Sequence, residues 1–150
     1  MLARTAVILA AVCACVLRAE DPNVPERVAA CLKSADVPVQ VDFRLNPFYV
    51  RGDFDGDGKA DYAVLVKKGK DRGIVVCRAA VAKGTVIGAG VPLNEWRDLD
   101  FSAWAAYEKR AAGSGVPRLL GEAIWLEWGE RGSGLVYWNG RKFVWQQQGD

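Results

Sequence analysis

The stretch that decides the fold is VRGDFDGDGKADYAVLV, residues 50–66. It brings four aspartates, Asp53, Asp55, Asp57 and Asp61, into nine residues between two segments rich in β-branched and aromatic side chains. Such segments favour strands, and a short glycine-rich connection between them predicts a hairpin. Carboxylates this close repel one another, so the crowding indicates that the loop holds a positively charged ligand.

The spacing within this loop is typical of a calcium site. Counted from the first aspartate, acidic residues stand at positions 1, 3, 5 and 9, and Gly58 stands at position 6, where a sharp turn is needed. Calcium takes about six to eight oxygen ligands, and carboxylates at alternate positions of a tight loop wrap such an ion. The predicted ligands are the side chains of Asp53, Asp55, Asp57 and Asp61 and the backbone carbonyl of Lys59.

Other ions suit this loop less well. Magnesium retains its waters and resists a shell made only of protein. Zinc prefers nitrogen and sulfur ligands, and the chain has no histidine. The alternative to a calcium site is an acidic, glycine-rich surface turn that binds no ion.

The segment GDFDGDGKADYAVLV resembles the calcium hairpin of the FG-GAP repeats, which occur in integrin α-subunit propellers and in many bacterial secreted proteins. The resemblance covers residues 49–67 and implies a calcium loop between two strands. An EF-hand would place a glutamate at position 12, where Val64 stands, and would flank the loop with helices. The chain carries one copy of the loop, whereas a propeller needs at least about four blades, so a complete propeller is not predicted. The whole chain also resembles small bacterial exported proteins, which implies no activity.

The first residues are typical of a targeting segment. Arg4, the apolar run over residues 5–17 and Ala19 predict a secretory signal at 1–19, followed by a single domain at 20–150. The apolar run is too short to span a membrane. An alternative is lipid attachment at Cys15, because VCAC resembles a bacterial lipoprotein box. Export places the protein in the periplasm or outside the cell.

Loss of the signal changes the charge of the protein. Residues 1–19 contain Arg4 and Arg18 and no acid, so the formal charge falls from +2 to zero when they are removed. A neutral domain gives no reason to expect a nucleic-acid partner. Two cysteines remain, Cys31 and Cys77, and in an exported protein they predict one disulfide; the alternative is two buried free thiols.

The rest of the chain predicts an α+β fold, a mainly antiparallel sheet with an N-terminal helix and one calcium-loop hairpin; the alternative is an all-β, propeller-blade-like fold. A first helix is predicted over about residues 25–35, capped by Asn23. A second is predicted from Phe101 to Gly113. Strands are predicted over 37–45, 62–68, 73–82, 84–91 and 122–129. Asn139-Gly140 predicts a tight hairpin with positive φ angles at both residues and Trp138 opposite Arg141.

The chemistry of the side chains predicts a non-catalytic protein. Without histidine, histidine-based triads are excluded. We predict an exported calcium-binding interaction or structural module whose partner is a protein or a cell-wall glycan. The alternative is a glycan-binding protein, or an enzyme or enzyme inhibitor acting on cell-wall polymers, that uses C-terminal tryptophans and glutamates. The candidate ligand-binding residues are Trp125, Trp138 and Trp145.

Overall fold

The computed structural model describes residues 23–109 and 115–149, and the predicted signal over residues 1–19 lies outside them. The described chain is mainly antiparallel sheet with one short helix, as the sequence predicts, but its strands form two sheets. The first sheet and its helix comprise α1 Glu26–Lys33, β1 Gln40–Val41, β2 Tyr49–Gly52, β3 Asp61–Lys68, β4 Asp71–Cys77 and β5 Thr85–Gly88. The second comprises β6 Ala103–Tyr107, β7 Ala123–Glu127, β8 Ser133–Trp138 and β9 Phe143–Gly149, with a 3₁₀ turn at Gly129–Arg131.

In the first sheet, β3 is the central strand. Both β1 and β2 pair with the same edge of β3, one after the other, while β4 pairs with its other edge and β5 follows β4. The β2–β3 pairing runs from Tyr49 opposite Val64 to Gly52 opposite Asp61. The second sheet is a simple meander in the order β6-β7-β8-β9.

The two sheets pack face to face around a shared core. Side chains alternate between the faces of a strand, so Leu65 of β3 and Ile74 of β4 point toward Ile124 of β7 and Val136 of β8. All four are almost completely buried. Burial of this kind is the main favourable contribution to folding, at roughly 25 cal/mol per Å² of apolar surface. Outer clusters lie on the far side of each sheet.

The helix α1 covers the outer face of the first sheet. Val28 and Cys31 are buried against that face, and Cys31 forms a disulfide with Cys77 at the end of β4, with 5.8 Å between the Cα atoms. The predicted cysteine pair is therefore present, and it is compatible with an extracellular protein. Asn23 does not cap the helix, because the N-cap position is Pro25 and no side chain caps it. No helix within 23–109 or 115–149 has the length and apolar character that crossing a membrane requires.

The helix predicted to begin at Phe101 is wrong where the structure describes it. Residues 103–107 form β6, which pairs with β7 from Ala103 opposite Glu127 to Tyr107 opposite Ala123. Trp104 is buried and Ala105 is exposed, which is the alternation of a strand. Pairing with β7 outweighs the helix propensity of the alanines, which is a weak local preference. The predicted end at Gly113 lies outside the described residues.

Two further predictions need correction. The strand predicted over 37–45 is reduced to β1, because the alternation fails at Asp42, which is buried, and Phe43, which is exposed. The C-terminal hairpin forms, but Trp138 pairs with Phe143 instead of Arg141. Its turn is centred one residue later than predicted, with positive φ at Gly140 and not at Asn139. The register shift is two residues, an even number, so each side chain keeps the sheet face that the predicted pairing gives it.

Candidate metal centre

The aspartate loop connects β2 to β3. The two strands pair as far as Gly52 and Asp61, so residues 53–60 form the loop and Asp61 is the first residue of β3. Gly56 and Gly58 adopt φ angles of 79° and 81°, a region that glycine enters without the steric cost met by other residues. The turn predicted at Gly58 is confirmed, and Gly56 provides a second.

Three of the four aspartates come together. Carboxylate oxygens of Asp53, Asp55 and Asp61 lie within 4.8 Å of one another. The Asp57 carboxylate is not part of this group: its Oδ1 accepts a hydrogen bond from the Lys59 backbone N–H at 2.8 Å, and its Oδ2 lies 3.9 Å from the Lys59 ammonium. The predicted roles of Asp57 and of the Lys59 carbonyl as ligands stay predictions.

Asp61 is the buried member of the group, with no exposed surface. Its Oδ2 accepts from the Phe54 N–H at 3.0 Å and its Oδ1 from the Ala79 N–H at 2.6 Å. Burial raises the pKa of this carboxyl, the negative charges of Asp55 and Asp57 raise it further, and the two backbone hydrogen bonds oppose the rise. Among the described residues no lysine or arginine forms an ion pair with Asp61. A cation beside it would offset the cost of the buried charge.

The other carboxylates organise the backbone of the loop. Asp53 accepts from the N–H groups of Gly56 and Gly58, at 2.8 and 3.0 Å, and Asp55 accepts from the N–H of Asp57 at 3.2 Å. These bonds are local side-chain to backbone contacts of the kind that fix turns. An ionised carboxylate offers about four lone-pair sites, so acceptor capacity remains for an ion.

The loop is attached to the core and to the second sheet. Phe54, at its second position, is fully buried between the sheets. The backbone of Asp53 makes two hydrogen bonds with Glu122, which directly precedes β7: the Asp53 N–H donates to the Glu122 carboxylate, and the Glu122 N–H donates to the Asp53 carbonyl, each at 2.6 Å. We refer to this contact of Asp53 with Gly121 and Glu122 as the loop clamp.

The loop clamp depends on a close approach of two backbones. A Cβ atom at Gly121 would overlap the Asp53 carbonyl oxygen and the Gly56 nitrogen, and a Cβ atom at Gly56 would overlap the Leu120 carbonyl. Glycine is therefore required on both sides of the contact.

Arg78 supplies the nearest described positive charge. Its guanidinium lies 3.9 Å from Asp55 Oδ2 and 4.4 Å from the centre of the Trp138 ring, so the side chain bridges the aspartates and the second sheet. Its Nε is buried without a hydrogen-bond partner. Arg78 offsets part of the negative charge of the group and leaves a net negative site.

The three candidate tryptophans do not share one surface. Trp138 and Trp145 pack against the core between the sheets, whereas Trp125 packs on the opposite face of the second sheet beside Leu119 and Leu135. All three are half-buried. They cannot act together as one ligand platform.

Comparison with known protein families, curated proteins and solved structures gave no match. The function is therefore inferred from the geometry of this chain alone.

Three residues that contact the loop could not be identified from the sequence of the loop. Gly121 and Glu122 lie about 60 residues beyond the loop, and Arg78 follows a strand with nothing to mark it. Their proximity is a product of the two-sheet packing. Glu122 is one of the C-terminal glutamates, and the hydrogen bond that it accepts from the Asp53 N–H places its carboxylate at the loop.

Proposed function

We propose that the protein is an exported, non-catalytic interaction or structural module whose β2–β3 loop binds calcium. The observation that carries the proposal is the group formed by Asp53, Asp55 and Asp61, one of which is completely buried. Calcium binds oxygens at about 2.3–2.6 Å, so two ligands of one ion lie up to about 4.6–5.2 Å apart. The 4.8 Å limit within this group is compatible with one shared calcium ion.

Electrostatics supports an ion in the loop. Two unit charges about 4.8 Å apart repel by roughly 1–3 kcal/mol at the effective dielectric constants of a protein surface. The group contains three such pairs, and Arg78 lies within 3.9 Å of one member, Asp55. A divalent cation between the carboxylates replaces these repulsions with attractions, and carboxylate oxygens are the ligands that calcium prefers.

The position of the loop supports a structural role for the ion. Phe54 anchors the loop in the core, and the loop clamp joins it to β7. An ion held by the ends and middle of this loop stiffens the hairpin and adds its binding free energy to folding. Sites in extracellular modules bind calcium at about 10⁻⁴ to 10⁻³ M, which suits a protein exported with a disulfide.

Calcium titration of the purified protein tests the proposal. With a dissociation constant of about 10⁻⁴ to 10⁻³ M, about 10 mM calcium stabilises the fold by roughly 1.4–2.7 kcal/mol and raises Tm by roughly 4–13 °C. We expect saturable heat in calorimetry and this shift in thermal melts. Asp55→Asn reduces both, because it removes one negative charge from the group and leaves only a neutral amide oxygen, which also accepts the loop hydrogen bond from the Asp57 N–H.

Two control variants make the test specific. Glu130→Gln removes one exposed carboxylate outside the loop and leaves the calcium response unchanged. Asp57→Asn tests whether Asp57 is a ligand, as the sequence predicts, or lies outside the ligand set, as the structure indicates. If its calcium response falls as far as that of Asp55→Asn, Asp57 is a ligand. If the response changes little, the ligands are the three clustered aspartates. Absence of heat and of any Tm shift with calcium in the wild-type protein contradicts the proposal.

A further inference from the structure

A second candidate site lies in a cleft between the β5–β6 connection and the second sheet. Its lining includes three tryptophans, Trp96, Trp128 and Trp145, and polar side chains among which are Asp98 and Arg131. We call it the tryptophan cleft. Its volume of about 290 Å³ is near the lower end of the range for small-molecule sites, and its lining combines aromatic faces with a few charged groups, as such sites do.

The three rings provide apolar surfaces in two orientations. Trp96 and Trp128 lie 6.0 Å apart between centroids at an interplanar angle of 31°, and Trp128 and Trp145 lie 5.0 Å apart at 87°. Trp96 is 42% exposed, whereas Trp128 and Trp145 are half-buried. Part of the Trp96 side chain is therefore open to solvent in the cleft.

The cleft is held in place by specific contacts. Trp96 closes a tight turn in which the backbones of Leu93 and Trp96 exchange two hydrogen bonds, at 2.7 and 3.0 Å. Asn94, in the same turn, donates to the Trp145 carbonyl on β9. The Trp145 indole lies across Gly134 of β8, where any Cβ atom would overlap it. The rings are thus positioned by the folded backbone before a ligand arrives.

Among the charged groups that line the cleft, one hydrogen-bond acceptor and one donor are available to a ligand. Asp100 forms ion pairs with Arg72 and Arg44, so its charge is satisfied within the protein. Asp98 uses Oδ1 to accept from the Arg72 N–H at 2.8 Å, and its Oδ2 makes no hydrogen bond to the described residues. The Arg131 guanidinium likewise has no hydrogen-bond or ion-pair partner in the part of the chain that the structure describes.

This combination selects among ligand classes. A cation would stack well on the rings but would meet the guanidinium of Arg131, and an anion would meet the carboxylate of Asp98. A purely apolar ligand would cover both charged groups without giving them partners, which costs free energy. A neutral ligand with one apolar face and several hydroxyls satisfies all of these groups.

We propose that the tryptophan cleft binds a neutral saccharide. The C–H face of a pyranose ring stacks on the indole of Trp96, one hydroxyl donates to Oδ2 of Asp98, and another accepts from the guanidinium of Arg131. The inference assigns a ligand class to the interaction module proposed above and uses residues outside the aspartate loop, so the two proposals fail separately. It also moves saccharide recognition away from Trp125 and Trp138.

The test is a titration with soluble tetrasaccharides of β-1,4-linked glucose and of β-1,4-linked N-acetylglucosamine. Binding to the full protein is followed by tryptophan fluorescence and by calorimetry, up to about 10 mM ligand, with calcium and with a chelator. We expect saturable binding of at least one tetrasaccharide. Trp96→Ala weakens it at least about tenfold, whereas Trp96→Tyr retains a stacking surface and stays within about threefold.

Further variants separate recognition from folding. Arg131→Gln weakens binding because the charged donor is lost, and its exposed position keeps the fold intact. Phe43→Ala is the control. It removes another exposed aromatic ring, which follows β1 of the first sheet and lies outside the cleft, and it leaves saccharide binding unchanged. Asp55→Asn reduces the calcium response and leaves saccharide binding unchanged, so a defect in one activity does not imply a defect in the other.

Three results would overturn the inference. The first is no saturable binding of either tetrasaccharide to the wild-type protein. The second is equal binding by wild type and Trp96→Ala, which would place the ligand elsewhere. The third is saturable binding of choline or of inorganic phosphate in place of the saccharides, which would identify the cleft as a cation or an anion site.

Discussion

Replacement of Gly121 by alanine tests the loop clamp directly. At this position a single methyl group would overlap the carbonyl oxygen of Asp53 and the nitrogen of Gly56. Both belong to backbone, so neither can rotate away as a flexible side chain would. The loop must therefore move away from the segment that leads into β7.

The cost follows from the contacts that this movement breaks. Asp53 and Glu122 share two hydrogen bonds, one of which has a carboxylate acceptor. A neutral hydrogen bond contributes about 0.5–1.5 kcal/mol and one to a charged group about 1.5–3 kcal/mol. Overpacking by a methylene-sized group adds about 1–3 kcal/mol. Because part of the strain is relieved when the bonds break, we expect Gly121→Ala to lower the free energy of unfolding by about 3–5 kcal/mol.

Urea unfolding with and without calcium measures this loss. Gly58→Ala is the matched control in the same loop, since a Cβ atom there meets nothing within 4 Å and only the φ angle of 81° is unfavourable. That variant should cost about 1 kcal/mol. A change of less than about 1 kcal/mol for Gly121→Ala would show that the two backbones do not need this close approach, and the clamp would then have no role in stability.

Three further predictions concern the charges of the site. Lowering the pH from about 7 to about 4 should reduce the calcium-induced Tm shift, because protons compete with the ion for Asp61. Burial raises the pKa of Asp61, so the loss should begin at a higher pH than it would for an aspartate with an ordinary pKa. In the metal-free protein, stability should change in the opposite direction. The Asp61 carboxyl binds its proton more tightly in the folded than in the unfolded protein, so the free energy of unfolding rises as the pH falls through the raised pKa. Thermal melts in chelator measure this change. Arg78→Gln should raise calcium affinity by roughly fivefold in calorimetry, since a charge about 4 Å from Asp55 contributes about 1 kcal/mol. An unchanged or weaker affinity would argue against an ion beside Asp55.

Much of the fold is readable from local sequence patterns. The strands β3, β4, β7 and β8 follow from runs of alternating or continuous apolar residues, which reflect burial on one or both faces. The helix α1 follows from the spacing of Val28 and Cys31, and the disulfide follows from the cysteines left after the predicted signal. In each case, the residues from which the element or bond is predicted are the same residues that are buried or bonded in the structure.

The largest errors occur where a distant segment decides the local structure. Residues 103–107 contain helix-favouring alanines, and they form a strand because β7 offers an edge with which to pair. The division of the strands into two sheets has no local signature, since both sheets contribute the same kind of residues to the shared core. The sequence pattern of a strand shows which of its side chains face the core, but it does not show which strands pair with it.

The same distinction applies to the site. Asp53, Asp55 and Asp61 could be selected from spacing, together with Asp57, because all four lie in one short loop; only the structure separates the three that cluster from Asp57. Glu122 could not, because its contact with Asp53 spans 69 residues. The tryptophan cleft shows the same limit, since Trp96, Trp128 and Trp145 come from three separate segments that meet only after the sheets pack.

The loop clamp gives the sandwich a mechanical property. Asp53 lies on the loop of one sheet, and Glu122 lies at the entrance to a strand of the other. A force that slides the sheets past each other therefore loads this contact in shear, with the buried ring of Phe54 beside it. The hydrogen bonds within the loop resist such a force, and the proposed ion between the carboxylates would add to that resistance. The mechanical strength of the contact between the sheets would then depend on whether the proposed calcium site is filled.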